Sequence, residues 1–395
     1  MKISMMMGYA GGFVEGAKRV VELENAGLDV VWIPEAYSFD AISQVGYLAA
    51  VTKRVEIGTG IINVYSRTAS LTAMTAAGCD FVSNGRFILG LGASGPQVIE
   101  GFHGMPYEKP MQRIKEYIEV CREVWKREKA LSYDGQTVKV PLPAGEGTGL
   151  GKPLKLINHP VRADIPVWWA SLKGLSVEAT AELADGWLPV FFVPDKFEKV
   201  WGKALAKGRA KRAAGLKSLE ISAGGLLAID ESLVGEAKDK VLDMARPNVA
   251  LYVGGMGARG MNFHNDHMVA RGYGDVAQRV QELFLAGRKR EAADAIPDGS
   301  VQHGYVSWSN WWIREASGCF RRLSLKRPQR TSPLSRDADQ TVATHKFLIV
   351  SSASYPLVCL DTDQVRRQEA PRRFYPTEEN QSTCICVCNE SPSIV

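Results

Sequence analysis

A (β/α)₈ TIM barrel, with seven clear units and an incomplete eighth, is the fold class this sequence predicts. Three observations lead there. Strand-like and helix-like runs alternate from residue 2 to residue 246. The strand-like runs are continuously apolar, which marks strands buried on both faces of a parallel sheet. Seven such units in about 250 residues suit a closed barrel better than the competing open doubly wound sheet.

The first strand is KISMMM (2–7), and its helix spans 14–26, where Val14, Ala17, Val20 and Val21 recur at helical spacing. LDVVWIP (28–34) and VEIGTGII (55–62) are the second and third strands, with helices over 40–52 and 69–84. FILGLGA (87–93) is the fourth, and its helix over 110–128 repeats Ile114, Tyr117, Ile118, Cys121 and Val124. IPVWWAS (165–171), GWLPVFFV (186–193) and LEISAGGLLAI (219–229) complete seven strands, with helices over 175–184, 194–214 and 232–246.

Composition narrows the function. The chain has 395 residues, 45% of them hydrophobic and 23% charged, which is ordinary for a globular protein. The net charge is +5, and only +2 of it falls before residue 299, which leaves no footprint for nucleic acid or an acidic membrane. No run of 18 apolar residues exists, and MKISMMMGYAGG does not read as a signal peptide. Residues 1–298 hold only Cys79 and Cys121, which suits a reducing compartment. The expectation is a cytoplasmic protein with a small-molecule substrate, a homodimer as its assembly, and neither a nucleic-acid nor a membrane partner.

In a (β/α)₈ barrel the catalytic face is built just after each strand. That places four loops on one rim: PEAYSFD (34–40), 60–67, GLGASGPQ (90–97) and ASLKGLS (170–176). Gly90, Gly92 and Gly95 satisfy GxGxxG, but Pro96 and the segment 100–110 delay the helix that a dinucleotide fingerprint requires, so a rim loop is the better reading. ASLKGLS opens a helix, and free N–H groups there suit a phosphate. It also reads as a plain turn with Ser176 as the N-cap. Trp168 and Trp169 read as packing. His103, near Glu100, reads either as a general acid or base or as structural. His264 and His267 lack a third ligand at recognisable spacing, so no metal site is expected. GxSxG, HExxH and GxxxxGK[ST] are absent.

The stretch IGTGIINVYSRTASLTAMTAAGCDFVSNGRFILGLGASGPQVIEGFHGMPYEKPMQRIKEYIEVCREVW resembles the luciferase-like monooxygenase superfamily, in particular its coenzyme F420-dependent oxidoreductases. GLDVVWIPEAYSFDAISQVGYLAA, IPVWWASLKGLSVEATAELADGWLPVFFVP and LYVGGMGARGMNFHND extend the resemblance over about residues 1–297. It implies a barrel of the bacterial luciferase type with an insertion or active-site lid after strand 4, here 129–164. It implies a non-proline cis bond at Gly60–Ile61 behind the ring of the cofactor, with Asn63 at the ring's polar edge. Ala93 and Ser94 would lie along the ribityl chain, and Ser171, Leu172, Lys173 and Gly174 would hold the phosphate. Glu35, Asn63, Arg67 and His103 are the candidates for catalytic contacts. The sugar-phosphate dehydrogenases of the superfamily carry a His after the acid that ends strand 2 and a Glu in the strand 4 loop. Ala36 and Gly95 stand there instead, which argues against that activity. The implied function is hydride transfer between deazaflavin and a small organic substrate, with an FMN-dependent monooxygenase as the alternative.

From residue 299 the pattern stops. Thirty-five of the 38 glycines precede that position, and five of the seven cysteines follow it, three of them in CICVC (384–388). The spacing in CICVC matches no metal motif. Residues 298–395 are expected to form an atypical tail, loosely packed or disordered. If the tail supplies no strand, strands 1 and 7 stay open-edged, and a damaged, non-catalytic chain becomes the reading from another class. KFLIVSSASYPLVCL (346–360) is the segment expected to act as an eighth strand if any does.

Overall fold

A computed structural model describes residues 2–9, 12–192, 197–223, 236–302, 347–348, 360–361 and 382–388. Seven parallel strands follow one another in space as they do in sequence. They are β1 (Lys2–Met7), β2 (Val30–Ile33), β3 (Glu56–Thr59), β4 (Phe87–Gly92), β5 (Val167–Trp169), β6 (Gly186–Trp187) and β7 (Glu220–Ala223). After Gly60–Ile61 the third strand resumes briefly as Ile62–Asn63, paired with Leu91–Gly92.

Each strand is followed by a helix: α1 (Phe13–Ala26), α2 (Ala41–Val51), α3 (Ala69–Val82), α4 (Pro110–Lys126), α5 (Gly174–Leu183), α6 (Lys203–Lys211) and α7 (Glu236–Ala250), of which α1 to α6 pack their apolar sides on the sheet. Helix starts follow local chemistry. Asp40 accepts from Ser43 N–H and Thr68 from Leu71 N–H, each as an N-cap. The sixth strand is shorter than the predicted 186–193. Pro189 has no N–H for the ladder, and Phe191 takes φ +54, which turns the chain out of the sheet. Val193 and the start of the predicted 194–214 helix lie outside the described residues; a π-helical turn (Glu198–Gly202) leads into α6.

The barrel is filled by Val30, Trp32, Ile88, Trp168 and Leu188. The Trp32 and Trp168 rings lie 5.0 Å apart. Two glycines make room for them: a Cβ at Gly58 would sit 2.2 Å from the Trp32 ring, and one at Gly186 would sit 2.0 Å from the Trp168 ring. Below them, Lys2 at the start of β1 pairs with Glu56 at 2.8 Å and Glu220 at 3.6 Å, closing the N-terminal end.

The eighth place differs from expectation. Ser382–Cys388 (β8) lies between β1 and β7 and runs antiparallel to both, with Lys2 opposite Val387 and Ile221 opposite Cys388. The edges foreseen for strands 1 and 7 are therefore covered, which corrects the open-barrel alternative. The eighth unit is still not a β/α unit, since its strand is reversed. The predicted segment 346–360 does not fill this place: Phe347–Leu348 pairs with Leu360–Asp361 in a separate two-stranded sheet. At the start of the tail Asp298–Gln302 forms a short helix with Ser300 buried, and the remainder lies outside the described residues.

The insertion 129–164 is present between strands 4 and 5, but of its two readings the active-site lid does not agree with its position. It follows a helix and not a strand, so it belongs to the N-terminal end of the barrel, away from the catalytic face. Arg162 binds buried Asp80 and the Phe87 carbonyl where β4 begins. A small hairpin, Tyr133–Asp134 with Lys139–Val140, is tied to α4 by Glu116, which accepts from the N–H groups of Gln136, Thr137 and Val138. Burial pushes the Glu116 carboxyl up, but hydrogen bonds from the Thr137 hydroxyl, the Gln112 amide and the Thr137 and Gln136 N–H groups outweigh it and hold it below the usual range. The excursion that follows strand 4 on the catalytic side is 93–109, with the short helix Pro96–Gly101.

The sequence reading passed over one region. After α7 the chain adds a π-helical turn (Leu251–Gly255), α8 (Phe263–Ala270) and α9 (Gly274–Leu285). Together with α7 they build a second core around Val249, Val253, Ala277, Val280 and Leu283.

Candidate active site

A cavity of about 830 Å³ opens at the C-terminal ends of the strands. All four predicted rim loops reach it, through Glu35–Tyr37, Gly60–Ile61, Gly92–Gln97 and Ala170–Lys173. Parallel strands make this unavoidable, because every strand ends at the same side of the barrel. No residue of 129–164 lines it, so that insertion is not its lid.

The Gly60–Ile61 bond is cis, and both residues form part of the wall. Ala93 and Ser94 lie beside them. Ser94 takes φ +57, and its carbonyl accepts from Tyr107 Oη at 3.1 Å, which fixes the loop.

The α5 terminus is built with care. Ser171 Oγ bonds Thr180 Oγ1 at 2.8 Å. The Ser171 and Leu172 carbonyls accept from the indoles of Trp187 (3.0 Å) and Trp201 (2.8 Å). These bonds hold the turn from behind. The N-cap is Lys173 rather than the expected Ser176, and no side chain caps the helix. Gly174, the first helical residue, is not itself in the wall, but a Cβ there would meet nothing within 4 Å. The Lys173 ammonium lies at the exposed rim, 4.5 Å over the Phe263 ring and 3.4 Å from Asp266.

The four catalytic candidates separate. Glu35 reaches the cavity, but its carboxylate is engaged twice by Arg67, at 2.7 and 2.9 Å, and accepts the Ala41 N–H at 2.9 Å. The Arg67 carbonyl accepts from Tyr117 Oη at 2.6 Å. The pair therefore ties the second rim loop to the third. Hydrogen bonding to Glu35 outweighs burial and raises the guanidinium's pKa further. Asn63 is buried behind the wall, where its Oδ1 accepts from the N–H groups of Tyr65 and Ser66 and so turns the chain. His103 Nε2 approaches Asn63 Nδ2 at 3.5 Å. Arg67, Asn63 and His103 do not line the cavity.

Several wall residues were not anticipated. Tyr9 follows β1, Phe191 follows β6, and Tyr252 and His264 come from the helical extension. The His264 ring stands edge-on to Tyr252 at 4.8 Å and to Phe191 at 6.2 Å. His267 stacks on Trp201 at 4.7 Å. Burial is the largest influence on both imidazoles and lowers His264 to about 3 and His267 to about 4. Among the described residues no group of three metal-ligating side chains occurs. The sequence signals for this wall were NFHNDH, weighed as a metal pair, and GWLPVFFV and LYVGGMGARGMNFHND, which entered as a strand and as part of the family resemblance and not as site residues.

These imidazoles make stability pH-dependent. Their folded pKa values lie below the unfolded value, so stability is present above about pH 6.5 and lost as pH falls toward the folded values. Denaturant titrations should show unfolding free energy falling between pH 6.5 and 5, above the main carboxylate range. The slope should approach about 1.4 kcal/mol per pH unit for each group. His267→Gln should flatten part of it. A flat profile in the parent protein would contradict the burial of these rings.

The geometry agrees with what comparison finds. A Mycobacterium tuberculosis (strain ATCC 25618 / H37Rv) protein, provisionally named a coenzyme F420-dependent oxidoreductase, is 40% identical over 313 residues, covering 78% of this chain and 88% of its own. The 5,10-methylenetetrahydromethanopterin reductase of Archaeoglobus fulgidus is 30% identical over 321 residues, covering 81% and 90%. The solved coenzyme F420-dependent tetrahydromethanopterin reductase of Methanopyrus kandleri superposes with a TM-score of 0.61 at 19% identity, over 82% of this chain and 91% of that one. Residues 1–311 match the model of the luciferase-like monooxygenases, and the chain belongs to that family of oxidoreductases.

Proposed function

We propose that the chain is a coenzyme F420-dependent oxidoreductase that moves a hydride between the deazaflavin and a small organic substrate. The observation that carries this reading is the pairing of a roomy cavity with an uncapped helix terminus at its edge. The cavity, about 830 Å³, falls in the range of small-molecule sites. The first turn of α5 has no side-chain cap and open space at Gly174, which fits a phosphate. The names of the relatives add support.

Gly60, Ile61, Ala93 and Ser94 would hold the ring system and its chain, and the N–H groups of Leu172, Lys173 and Gly174 the phosphate. When bound, the deazaflavin supplies the two-electron hydride chemistry. The chain's own part is to exclude water, through Met6, Trp169, Leu188 and Phe191, and to fix the geometry of the partners. Glu35, Arg67, Asn63 and His103 serve as supports of the rim.

Fluorescence titration tests this. F420 should quench saturably, and FMN should bind at least tenfold more weakly. No saturable response to F420, or tighter binding of FMN, would reject the reading. Gly174→Val should weaken F420 at least tenfold with a shift in Tm of only a few degrees, since the new side chain has room but crowds the N–H groups. Unchanged affinity in that folded variant would remove the phosphate assignment.

A further inference from the structure

The outer face of α3 is apolar where an outer helix is ordinarily charged. Leu71, Met74, Phe81 and Val82 follow one another along it at helical spacing and are 45–69% exposed. The helix has one charged residue, Asp80, and that side chain is buried and bound by Arg162. α2, packed beside it, has none. By contrast, α1 turns Glu15, Lys18, Arg19 and Glu22 outward.

The insertion continues this face past the end of α3. A Cβ at Gly85 would sit 3.8 Å from Val161 Cγ1. Leu154, Ile157 and Val161 are 48–93% exposed. Their backbone is anchored, because the Leu154 carbonyl accepts from Leu131 N–H and the Leu156 carbonyl from Arg127 Nε, both at 2.9 Å. The apolar side chains are therefore presented by a fixed strap. Gly78 lies midway along the α3 stripe, exposed, and a Cβ there would meet nothing within 4 Å. Glycine weakens a helix interior relative to alanine, and no contact among the described residues requires it here. It leaves a notch through which another backbone can approach closely.

We propose that α3 and the strap 154–161 form the docking face for a second copy of this chain, with the two α3 helices crossing at Gly78. In a two-fold contact each residue near the axis meets its own counterpart, so that part of the face must be free of like charge, and α3 is. The seven apolar side chains together expose about 800 Å² per copy, the share of one partner in an interface of standard size. The insertion is then an arm of the interface. Neither the face nor its test involves the coenzyme.

Sedimentation velocity of the full chain at micromolar concentration should show a species of twice the chain mass. Met74→Glu, which sets two carboxylates against each other near the axis, should weaken association about a hundredfold with unchanged far-UV circular dichroism. Gly78→Ala should weaken association about tenfold while the dilute chain unfolds no earlier than the parent, because alanine favours the helix. A role for Gly78 inside the chain would instead lower the unfolding midpoint. Ile157→Asp should weaken association about tenfold. Leu285→Asp, 49% exposed on α9, should leave the mass as it is. A monomeric parent chain, the parent mass retained by folded Met74→Glu or by folded Ile157→Asp, or dissociation by Leu285→Asp would each overturn the proposal.

Discussion

Truncation of Arg67 to alanine is expected to destabilise the fold by about 3–5 kcal/mol, the cost of leaving one partner of a buried ion pair alone. The side chains of Glu35 and Arg67 are 8% and 15% exposed, so solvent cannot take over the role of the missing group. An exposed pair would be worth only about 0–1 kcal/mol. The Ala41 N–H bond would remain on Glu35 and would not neutralise its charge. Arg67→Lys should recover part of the loss, because an ammonium cannot reproduce the two-pronged contact. Glu35→Gln with Arg67→Met should be less harmful than the two single changes added together. Denaturant unfolding measures all three, and a loss below about 1 kcal/mol for Arg67→Ala would show that the pair is screened.

The second large effect is expected inside the barrel. Gly186→Val should cost at least about 3 kcal/mol, the upper end for overpacking. The new Cβ alone would lie 2.0, 2.1 and 2.5 Å from three atoms of the Trp168 ring, so that ring must leave its place. It has nowhere to go, because Trp32 fills the other side at 5.0 Å. Trp168→Leu alone should also destabilise, by leaving a void. The two changes combined should cost less than either Gly186→Val alone or their sum, since each removes the other's fault. Additive losses would mean that the glycine is needed for its backbone and not for the space.

Much of the barrel was legible because its strands are buried on both faces. Continuous apolar runs such as FILGLGA need no tertiary knowledge to be read. The rim followed from topology alone. What the sequence hid were relations between distant positions. Glu35 and Arg67 belong to different units, and nothing local tells that each is the other's partner rather than the substrate's. Asn63 looked like a ring contact, yet a short amide after a strand is equally suited to closing a turn on its own backbone. The lid reading of the insertion 129–164 rested on its glycines and prolines, whereas its position after a helix decides the side. Ala277, Val280, Leu283 and Phe284 did carry a helical period. Their core was missed because it lies outside the β/α repeat. Tyr9 and Tyr252 gave no local signal, since their place in the wall depends on how the barrel closes.

The reversed eighth strand sets the order of events during synthesis. Residue 2 is paired with residue 387, so the first strand to leave the ribosome waits for one of the last to be made. At ordinary translation rates the interval after β7 emerges is on the order of ten seconds. Throughout it, β1 and β7 present unpaired edges, each a template for another nascent chain. The seven parallel units can assemble as they appear, by short crossovers, but the ring cannot. Closure is a contact of very high sequence separation, and contacts of that kind dominate the folding time.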